Sequence, residues 1–252
     1  MEPILEVRDL TKTFHTEGKA DYTAVDHVSF RLYPGETLGV VGESGCGKST
    51  LAKAISRLME LTEGSVCLCG QDITKAGFSE LRGAYRNIQM VFQDPVSSFD
   101  PRCTLGDGIG ESLRNSGCSR TEARRRVLSL LEQCGLPAEF AGRYPHEVSG
   151  GQCQRAAIAR ALAIEPKVLI CDEATSALDV TVQQQIMELL VELQKSTGVA
   201  YIFICHNLAL VQSFCDRLLV MYQGKIVEEG TPDEVIFHPK TEYSKMLVAS
   251  VR

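Results

Sequence analysis

Apolar and polar residues alternate near the start of the chain and then give way to short, continuous apolar runs. Alternation over residues 4–10 and 28–33 predicts two half-buried strands that open the fold as an antiparallel pair, with a polar segment over residues 15–23 between them. Residues 37–41 form a short apolar run, which predicts a fully buried strand. A glycine-rich loop follows, and helical periodicity then extends over residues 48–59. The chain therefore changes from antiparallel strands to a strand, a loop and a helix.

Strands and helices alternate in the second half of the chain. The predicted elements are strands at residues 88–92, 168–171, 200–205 and 217–222 and helices at residues 180–194 and 208–214. Such alternation is typical of an α/β fold, in which a mostly parallel sheet is covered by helices on both faces.

A helical segment interrupts this alternation. Residues 95–102 are rich in turn formers, and helical periodicity follows them. We therefore expect one domain over residues 1–252. Its core, with the antiparallel strands, covers residues 1–92 and 165–252, and residues 93–164 form an inserted helical subdomain.

The charge balance excludes a global attraction to nucleic acid or to anionic lipid. The chain has 252 residues, a formal net charge of -6 and a pI of about 5.5. Its apolar runs are far shorter than the ~18 residues of a membrane-spanning helix, and its start lacks the basic and apolar pattern of a secretory signal. We therefore expect a protein of the cytoplasm with no nucleic-acid partner.

Ten cysteines are scattered along the chain without a CxxC pair. The length of the chain and its start argue against a disulfide framework, and the spacing argues against a metal cluster. We expect reduced cysteines that act mostly as small apolar residues. Cys46 is a separate case, because it lies in the glycine-rich loop at the positive end of the predicted helix. That position predicts a pKa below the ordinary thiol value of about 8.5.

The glycine-rich loop carries a phosphate-binding pattern. Residues 42–49, here called the phosphate loop, read GESGCGKS and match GxxxxGK[ST] between a predicted strand and a predicted helix. The glycines let backbone N–H groups turn inward around phosphates, Lys48 is expected to reach the β- and γ-phosphates, and the Ser49 hydroxyl is expected to bind magnesium. The alternative is a glycine turn that happens to precede a helix. The candidate ATP-binding residues are those of the loop, Gly42, Glu43, Ser44, Gly45, Cys46, Gly47, Lys48 and Ser49, and Thr50 directly after it.

Two adjacent carboxylates follow the apolar run at residues 168–171. Asp172 and Glu173 are expected at the carboxyl edge of a parallel sheet, where nucleotide pockets lie. Asp172 is predicted to hold magnesium, and Glu173 is predicted to orient and deprotonate the attacking water. An acidic turn that merely ends the strand is the alternative. Together with the phosphate loop, the pair predicts a P-loop NTPase, a class that includes kinases, GTPases, helicases, motors and transport ATPases.

A second glycine-opened helix narrows this class. Residues 148–152 read VSGGQ at the start of a predicted helix over residues 152–164. One nucleotide site in one chain has no need of two such helix starts, whereas a pocket shared between two chains would use both. The segment resembles the LSGGQ signature of the ATP-binding cassette family, and the resemblance covers nearly the whole chain. It implies contact with ATP bound by a partner chain through Ser149, Gly150, Gly151 and Gln152, here called the signature segment.

The same resemblance assigns roles to residues elsewhere in the chain. Phe14 is the implied aromatic that stacks on adenine, with Tyr22 as the alternative on the same polar segment. Gln93 is implied to sense magnesium and the γ-phosphate, His206 to contact the γ-phosphate, and Asp179, in the sequence SALD, to contact the opposite subunit. The implied magnesium ligands are Ser49, Gln93 and Asp172, and the implied catalytic residues are Lys48, Gln93, Glu173 and His206.

Two stretches resemble one branch of the family, the ATPases of oligopeptide, dipeptide and nickel importers. They are QDPVSSFDPR at residues 93–102 and a closing stretch that reads KIVEEG at residues 225–230 and continues with His238, Pro239, Lys240 and Tyr243. The resemblance implies an ATPase at the cytoplasmic face of a membrane, bound there by two permease subunits. A second ATPase subunit, identical or paralogous, and an extracytoplasmic solute-binding protein complete the implied assembly. Residues 95–102 and the neighbouring inserted helices are the predicted permease contact, with Phe99 and Arg102 as the positions that test it.

The resemblance leaves two matters open. The cargo could be a peptide, nickel or another metal complex, because cargo contacts lie on other subunits. The alternative function is a soluble ABC-type ATPase that is not attached to a transporter. Such a protein usually carries a coiled-coil insertion or a second cassette, and neither is present in these 252 residues.

Overall fold

The structure is a computed structural model and describes residues 2–15, 18, 20–175 and 178–250. Its strands are β1 (Leu5–Phe14), β2 (Tyr22–Leu32), β3 (Thr37–Val41), β4 (Glu63–Leu68), β5 (Gln71–Asp72), β6 (Ile88–Val91), β7 (Val168–Asp172), β8 (Ala200–Ile204), β9 (Arg217–Tyr222) and β10 (Lys225–Gly230). Its α-helices are α1 (Lys48–Ile55), α2 (Phe78–Ala84), α3 (Leu105–Asn115), α4 (Arg120–Gln133), α5 (Gly150–Leu162), α6 (Val180–Thr197), α7 (Leu208–Phe214), α8 (Pro232–Phe237) and α9 (Glu242–Ala249). None of the helices in these ranges is long and apolar enough to cross a membrane.

The strands form two sheets. An antiparallel sheet has the order β2-β1-β4-β5, and a larger sheet has the order β10-β9-β3-β8-β7-β6. In the larger sheet β6, β7, β8, β3 and β9 run parallel, and β10 pairs antiparallel with β9. The predicted fold class, a mostly parallel core with an N-terminal antiparallel part and inserted helices, is confirmed. The residue boundaries predicted for the subdomains remain a prediction.

The central strands of the larger sheet are buried on both faces. Every residue of β3, β7 and β8 is buried, as expected for parallel strands that helices or a second sheet cover on each side. Along β7, Leu169 and Cys171 join the core shared with the inserted helices, whereas Val168 and Ile170 join the core shared with the antiparallel sheet and α1. This alternation follows from the two-residue period of a strand. The strand ends are thereby fixed between two cores.

Residues 95–102 pack against the inserted helices. Phe99 is 5% exposed, and the Arg160 guanidinium of α5 lies over its ring at 4.3 Å. Arg160 also donates hydrogen bonds to the Ser98 carbonyl oxygen and, at 3.0 Å, to its hydroxyl. The Phe99 ring therefore belongs to the core of the inserted helices, whereas the permease contact predicted for residues 95–102 stays a prediction. Arg102 is exposed and pairs with Asp100 at 2.9 Å.

Candidate functional site

Four parallel strands bring predicted site residues to one edge of the larger sheet. β3 leads into the phosphate loop, β6 is followed by Gln93, β7 ends at Asp172, and β8 precedes His206. A cavity of about 330 Å³ opens at this edge. Its lining comprises Tyr22, Ala24, Ser44, Gly45, Gly47, Lys48, Ser49, Thr50, Gln93 and Glu173. A larger cavity of about 640 Å³ lies among the inserted helices and is lined by none of these residues, so size does not locate the site.

The phosphate loop wraps around the Lys48 side chain. The Lys48 ammonium donates hydrogen bonds to the carbonyl oxygens of Gly42 and Glu43, each at 2.7 Å, and the residue is 4% exposed. Gly47 caps α1 with φ of 110°, and a Cβ at this position would lie 2.1 Å from the Ala24 carbonyl oxygen, so only glycine fits. An inward lysine at a helix start is the arrangement that binds phosphate.

Asp172 and Ser49 meet at the cavity. The Ser49 hydroxyl donates a hydrogen bond to Asp172 Oδ1 at 2.9 Å. Asp172 is 4% exposed, and this burial raises the pKa of its carboxyl more than the Ser49 hydrogen bond lowers it. A hydroxyl and a carboxylate are oxygen ligands of the kind that Mg²⁺ prefers, and a cation would offset the cost of the buried charge. The donor set therefore fits magnesium.

Glu173 makes different contacts from those of its neighbour Asp172. Its backbone has φ of 47°, a left-handed conformation at the end of β7. The carboxylate accepts a hydrogen bond from Gln93 Nε2 at 2.9 Å and lies 3.9 Å from His206 Nδ1. The structure thus brings Gln93, Glu173 and His206 together from the ends of three neighbouring strands.

Phe14 and Tyr22, the two candidates for adenine stacking, are cross-strand neighbours at the ends of β1 and β2. Tyr22 lines the cavity, and its hydroxyl lies 3.4 Å from the Gly45 carbonyl oxygen. The cavity lining does not include Phe14, whose ring instead faces the Lys12 ammonium at 5.3 Å. The geometry therefore favours Tyr22 over Phe14 as the adenine-stacking residue, although the resemblance implies Phe14 first.

The prediction of a lowered pKa for Cys46 is wrong. Cys46 is 7% exposed, and burial raises the pKa of its thiol. The Lys48 ammonium, 3.7 Å from Sγ, offsets this effect only in part. Cys46 is therefore a small residue of the loop whose side chain is buried. All ten cysteines are unpaired, and six are buried.

The signature segment and Asp179 lie outside the cavity lining. The Ser149 hydroxyl accepts a hydrogen bond from the Gln152 N–H at 3.3 Å, and the Gln152 side chain accepts one from the Ser149 N–H at 2.9 Å. Gly151 packs on α6, where a Cβ would lie 2.6 Å from Val182 Cγ1. Asp179 accepts a hydrogen bond from the Val182 N–H at 3.0 Å. These groups therefore cap and pack the starts of α5 and α6.

Two residues of the signature segment, Ser149 and Gly150, are exposed. A helix start with glycines at the surface can approach an anion closely. Ser176 and Ala177, which precede Asp179 in the SALD sequence, lie outside the described residues. The chain thus carries two helix starts suited to phosphate, on separate surfaces.

One contact of the phosphate loop has no local signal in the sequence. The hydroxyl of Tyr243 in α9 accepts a hydrogen bond from the Glu43 N–H at 2.9 Å, although the two residues lie 200 positions apart. This contact depends on how the end of the chain packs against the larger sheet. Hydrophobic periodicity cannot predict it.

A glycine-rich loop around an inward lysine, a hydroxyl-carboxylate pair that fits a cation, and a second, separately held carboxylate at one sheet edge are the features of a P-loop NTPase. The family model described as ABC transporter matches residues 25–176, which is more than half of the chain. The chain belongs to this family, as its ATP-binding and ATP-hydrolysing subunit. The resemblance stated from the sequence is confirmed.

Relatives extend the match beyond the family model. The oligopeptide transport ATP-binding protein OppF of Salmonella typhimurium is 49% identical over 258 residues, which cover 98% of this chain and 77% of that protein. The glutathione import ATP-binding protein GsiA of Pectobacterium atrosepticum is 47% identical, and the match covers 99% of this chain and 41% of that protein. The ATP-binding cassette MJ0796, solved as a dimer in a post-hydrolysis state with ADP and Pi, has a TM-score of 0.83 at 30% identity, over 90% of this chain and 98% of that chain.

Proposed function

We propose that this chain hydrolyses ATP at sites shared with a second ATP-binding subunit and so powers the import of peptides. The cargo is supported by 49% identity to a relative named for oligopeptide transport and 47% identity to one named for glutathione import, since glutathione is itself a short peptide. The nickel complexes that the sequence leaves open gain no support from these two relatives. Their names also argue against an ATPase that serves no transporter.

The phosphate-loop residues hold the nucleotide in this proposal. Lys48 and the inward N–H groups bind the phosphates, and Tyr22 stacks on adenine in place of Phe14. Ser49, Asp172 and Gln93 are the proposed ligands of Mg²⁺. Bound there, Mg²⁺ would neutralise charge that develops on the phosphates. The observation that supports this set is the 2.9 Å contact between Ser49 and the buried Asp172.

Glu173 performs the water chemistry in this proposal. Its carboxylate takes a proton from a water molecule whose oxygen attacks the γ-phosphorus, while the bond between the γ-phosphorus and the β,γ-bridging oxygen breaks. Gln93 orients the carboxylate through the 2.9 Å hydrogen bond. His206, 3.9 Å from the same carboxylate, would meet the transferred phosphoryl group. The contact among these three residues is the observation that carries the proposed function.

The second half of each site comes from a partner subunit in this proposal. The signature segment and Asp179 lie outside the cavity of their own chain, and Ser149 and Gly150 are exposed. The solved relative described as a dimer supports closure of two cassettes over ATP. Two permease subunits would hold the pair at the cytoplasmic face of the membrane, with a solute-binding protein on the other side.

The variant Glu173→Gln tests this proposal because it keeps the hydrogen bond from Gln93 but removes the base. ATP should still bind, and turnover should fall roughly 100-fold or more. Glu192→Gln, on an exposed position of α6, is the matched control and should leave turnover unchanged. In the reconstituted transporter, uptake of a labelled oligopeptide should fall together with phosphate release. Full turnover by Glu173→Gln would contradict the assignment of the base, and uptake of a nickel complex but not of peptides would contradict the cargo.

A further inference from the structure

Helix α9, near the end of the described residues, contacts the phosphate loop. Tyr243 is 7% exposed, and its hydroxyl accepts a hydrogen bond from the N–H of Glu43, the second residue of the loop, at 2.9 Å. We propose that Tyr243 is a positioning residue, which sets the affinity of the phosphate loop for the nucleotide by fixing one of its peptide groups. The inference rests on the proposed function, in which this loop binds the phosphates of ATP. It concerns a residue outside the range 25–176 that the family model matches.

The peptide group in question joins Gly42 to Glu43. It is planar and trans, so its C=O and its N–H point in opposite directions. The N–H donates to Tyr243, and the C=O accepts a hydrogen bond from the Lys48 ammonium at 2.7 Å. A rotation of this plane would therefore break both contacts at once. By holding the N–H, Tyr243 also holds the carbonyl that directs Lys48.

The Tyr243 ring is itself fixed by its neighbours. It stacks on Tyr222 at the end of β9, with ring centroids 4.1 Å apart and planes 30° apart. Met221, the residue before Tyr222, packs closely against the start of the loop. A Cβ at Gly42 would lie 2.2 Å from the Met221 carbonyl oxygen. The loop, β9 and α9 therefore meet at one point, and a displacement of α9 would reach the loop directly.

The start of α9 is anchored by a buried carboxylate. Glu228 in β10 is 7% exposed and accepts hydrogen bonds from the N–H groups of Lys240 at 2.9 Å and Thr241 at 3.0 Å. Thr241 caps α9 by accepting a hydrogen bond from the Ser244 N–H at 3.1 Å. These bonds fix the helix that carries Tyr243. A fixed hydroxyl can orient a loop, whereas a side chain on a loose terminal helix could not.

The protonation state of Tyr243 suits this role. Burial raises the pKa of its phenol, so the side chain keeps its proton at neutral pH. The hydroxyl accepts from Glu43 without placing a negative charge beside a loop that binds phosphates. Its effect on the loop is therefore one of orientation and not of charge.

The variant Tyr243→Phe tests the inference, because it removes one oxygen and keeps the stacked ring. The Kd and KM for Mg-ATP should rise roughly three- to tenfold, the effect of one hydrogen bond. The kcat should stay unchanged, because Gln93, Glu173 and His206 are not touched. Tyr222→Phe is the matched control: it removes the same atom from the other ring of the stack, whose hydroxyl meets Gln223 Nε2 at 3.2 Å and not the loop. It should leave Kd, KM and kcat unchanged.

Hydrogen exchange in the nucleotide-free protein supplies a second readout that does not depend on ATP. The Glu43 amide should exchange roughly two- to tenfold faster in Tyr243→Phe than in the native chain, and at the native rate in Tyr222→Phe. An unchanged Glu43 amide in Tyr243→Phe, or equal changes in both variants, would overturn the inference. Faster exchange with an unchanged Kd for ATP would also overturn it, because the contact would then not set affinity. If the native chain failed to bind ATP, the proposed function would fail, whereas faster exchange would still show the contact to be real.

Discussion

The phosphate loop and the signature segment are both helix starts suited to phosphate, but their polar groups are used differently. At the phosphate loop, the Ser49 side chain reaches across the fold to Asp172 at the end of β7, whereas the Lys48 ammonium bonds to carbonyl oxygens of its own loop. At the signature segment, Ser149 and Gln152 bond to each other's backbone and cap their own helix. The first region is assembled by one chain. The polar groups of the signature segment already bond within their own helix start. They can take part in ATP binding only if a second molecule brings ATP to them.

The largest expected effect on ATPase activity comes from inactivating the phosphate loop in one chain and the signature segment in another. Lys48→Ala removes the cation that is proposed to bind the phosphates, and Ser149→Arg places a bulky side chain at the exposed start of α5. Each variant alone should lose roughly 100-fold or more of its ATPase activity. A one-to-one mixture should recover about a quarter of native activity, because half of the random dimers then contain one site in which both regions are intact.

The measurement is phosphate release by each variant and by the mixture at equal total protein. Lys195→Ala, an exposed lysine near the end of α6, serves as the control for loss of a positive charge and should stay active. A mixture no more active than its parts would count against sites shared between two copies of this chain. High activity of Ser149→Arg alone would remove the signature segment from the site altogether.

An effect of intermediate size concerns the mouth of the phosphate-loop cavity. Tyr22→Ala should raise the Kd for ATP about tenfold, since loss of one stacked aromatic costs on the order of 1 to 3 kcal/mol per base. Tyr22→Phe keeps the ring and should retain most of the affinity. Phe14→Ala, at the cross-strand neighbour, should leave the Kd near the native value. Titration calorimetry with all three variants measures the Kd for ATP. A larger loss of affinity in Phe14→Ala than in Tyr22→Ala would instead support Phe14 as the adenine-stacking residue.

Much of the fold could be predicted where apolar runs end at turn residues. The bounds predicted for β3, α7 and β9 agree with the structure, and β3 and β9 are apolar stretches that glycine or polar residues follow. β4 and α2 were not predicted. β4 exposes part of its length and is held by its backbone pairing with β1, which leaves little trace in hydrophobic periodicity. The start of β2 at Tyr22 is paired to β1 in the same way, within a segment whose polar residues suggest a loop.

In the candidate site, too, features that depend on neighbouring residues could be predicted from the sequence, and features that depend on distant contacts could not. The phosphate loop and the Asp172-Glu173 pair are predictable, because their chemistry depends on residues adjacent in the chain. The direction of the Cys46 pKa shift is not predictable, because burial, which only the fold reveals, raises this pKa more than the neighbouring Lys48 lowers it. The Tyr243 contact is likewise hidden, since it joins residues 200 positions apart. Packing between distant parts of the chain decides both of these features.

The smallest expected effect compares two serine caps of the same kind. Ser149 accepts a hydrogen bond from the Gln152 N–H at 3.3 Å, and Ser119 at the start of α4 accepts one from the Glu122 N–H at 3.2 Å. Ser149→Ala and Ser119→Ala should therefore each lower the free energy of unfolding by about 1 kcal/mol.

Activity should separate the two variants although stability does not. If the Ser149 hydroxyl also meets ATP bound by a partner, ATPase activity per folded chain should fall roughly fivefold in Ser149→Ala, whereas Ser119→Ala should keep native activity. Urea unfolding measures the first quantity and phosphate release the second, both on the same preparations. Equal activity in the two variants would mean that Ser149 only caps α5, and the contrast between a self-contained loop and a shared signature segment would then have to rest on Gly150 and Gly151 alone.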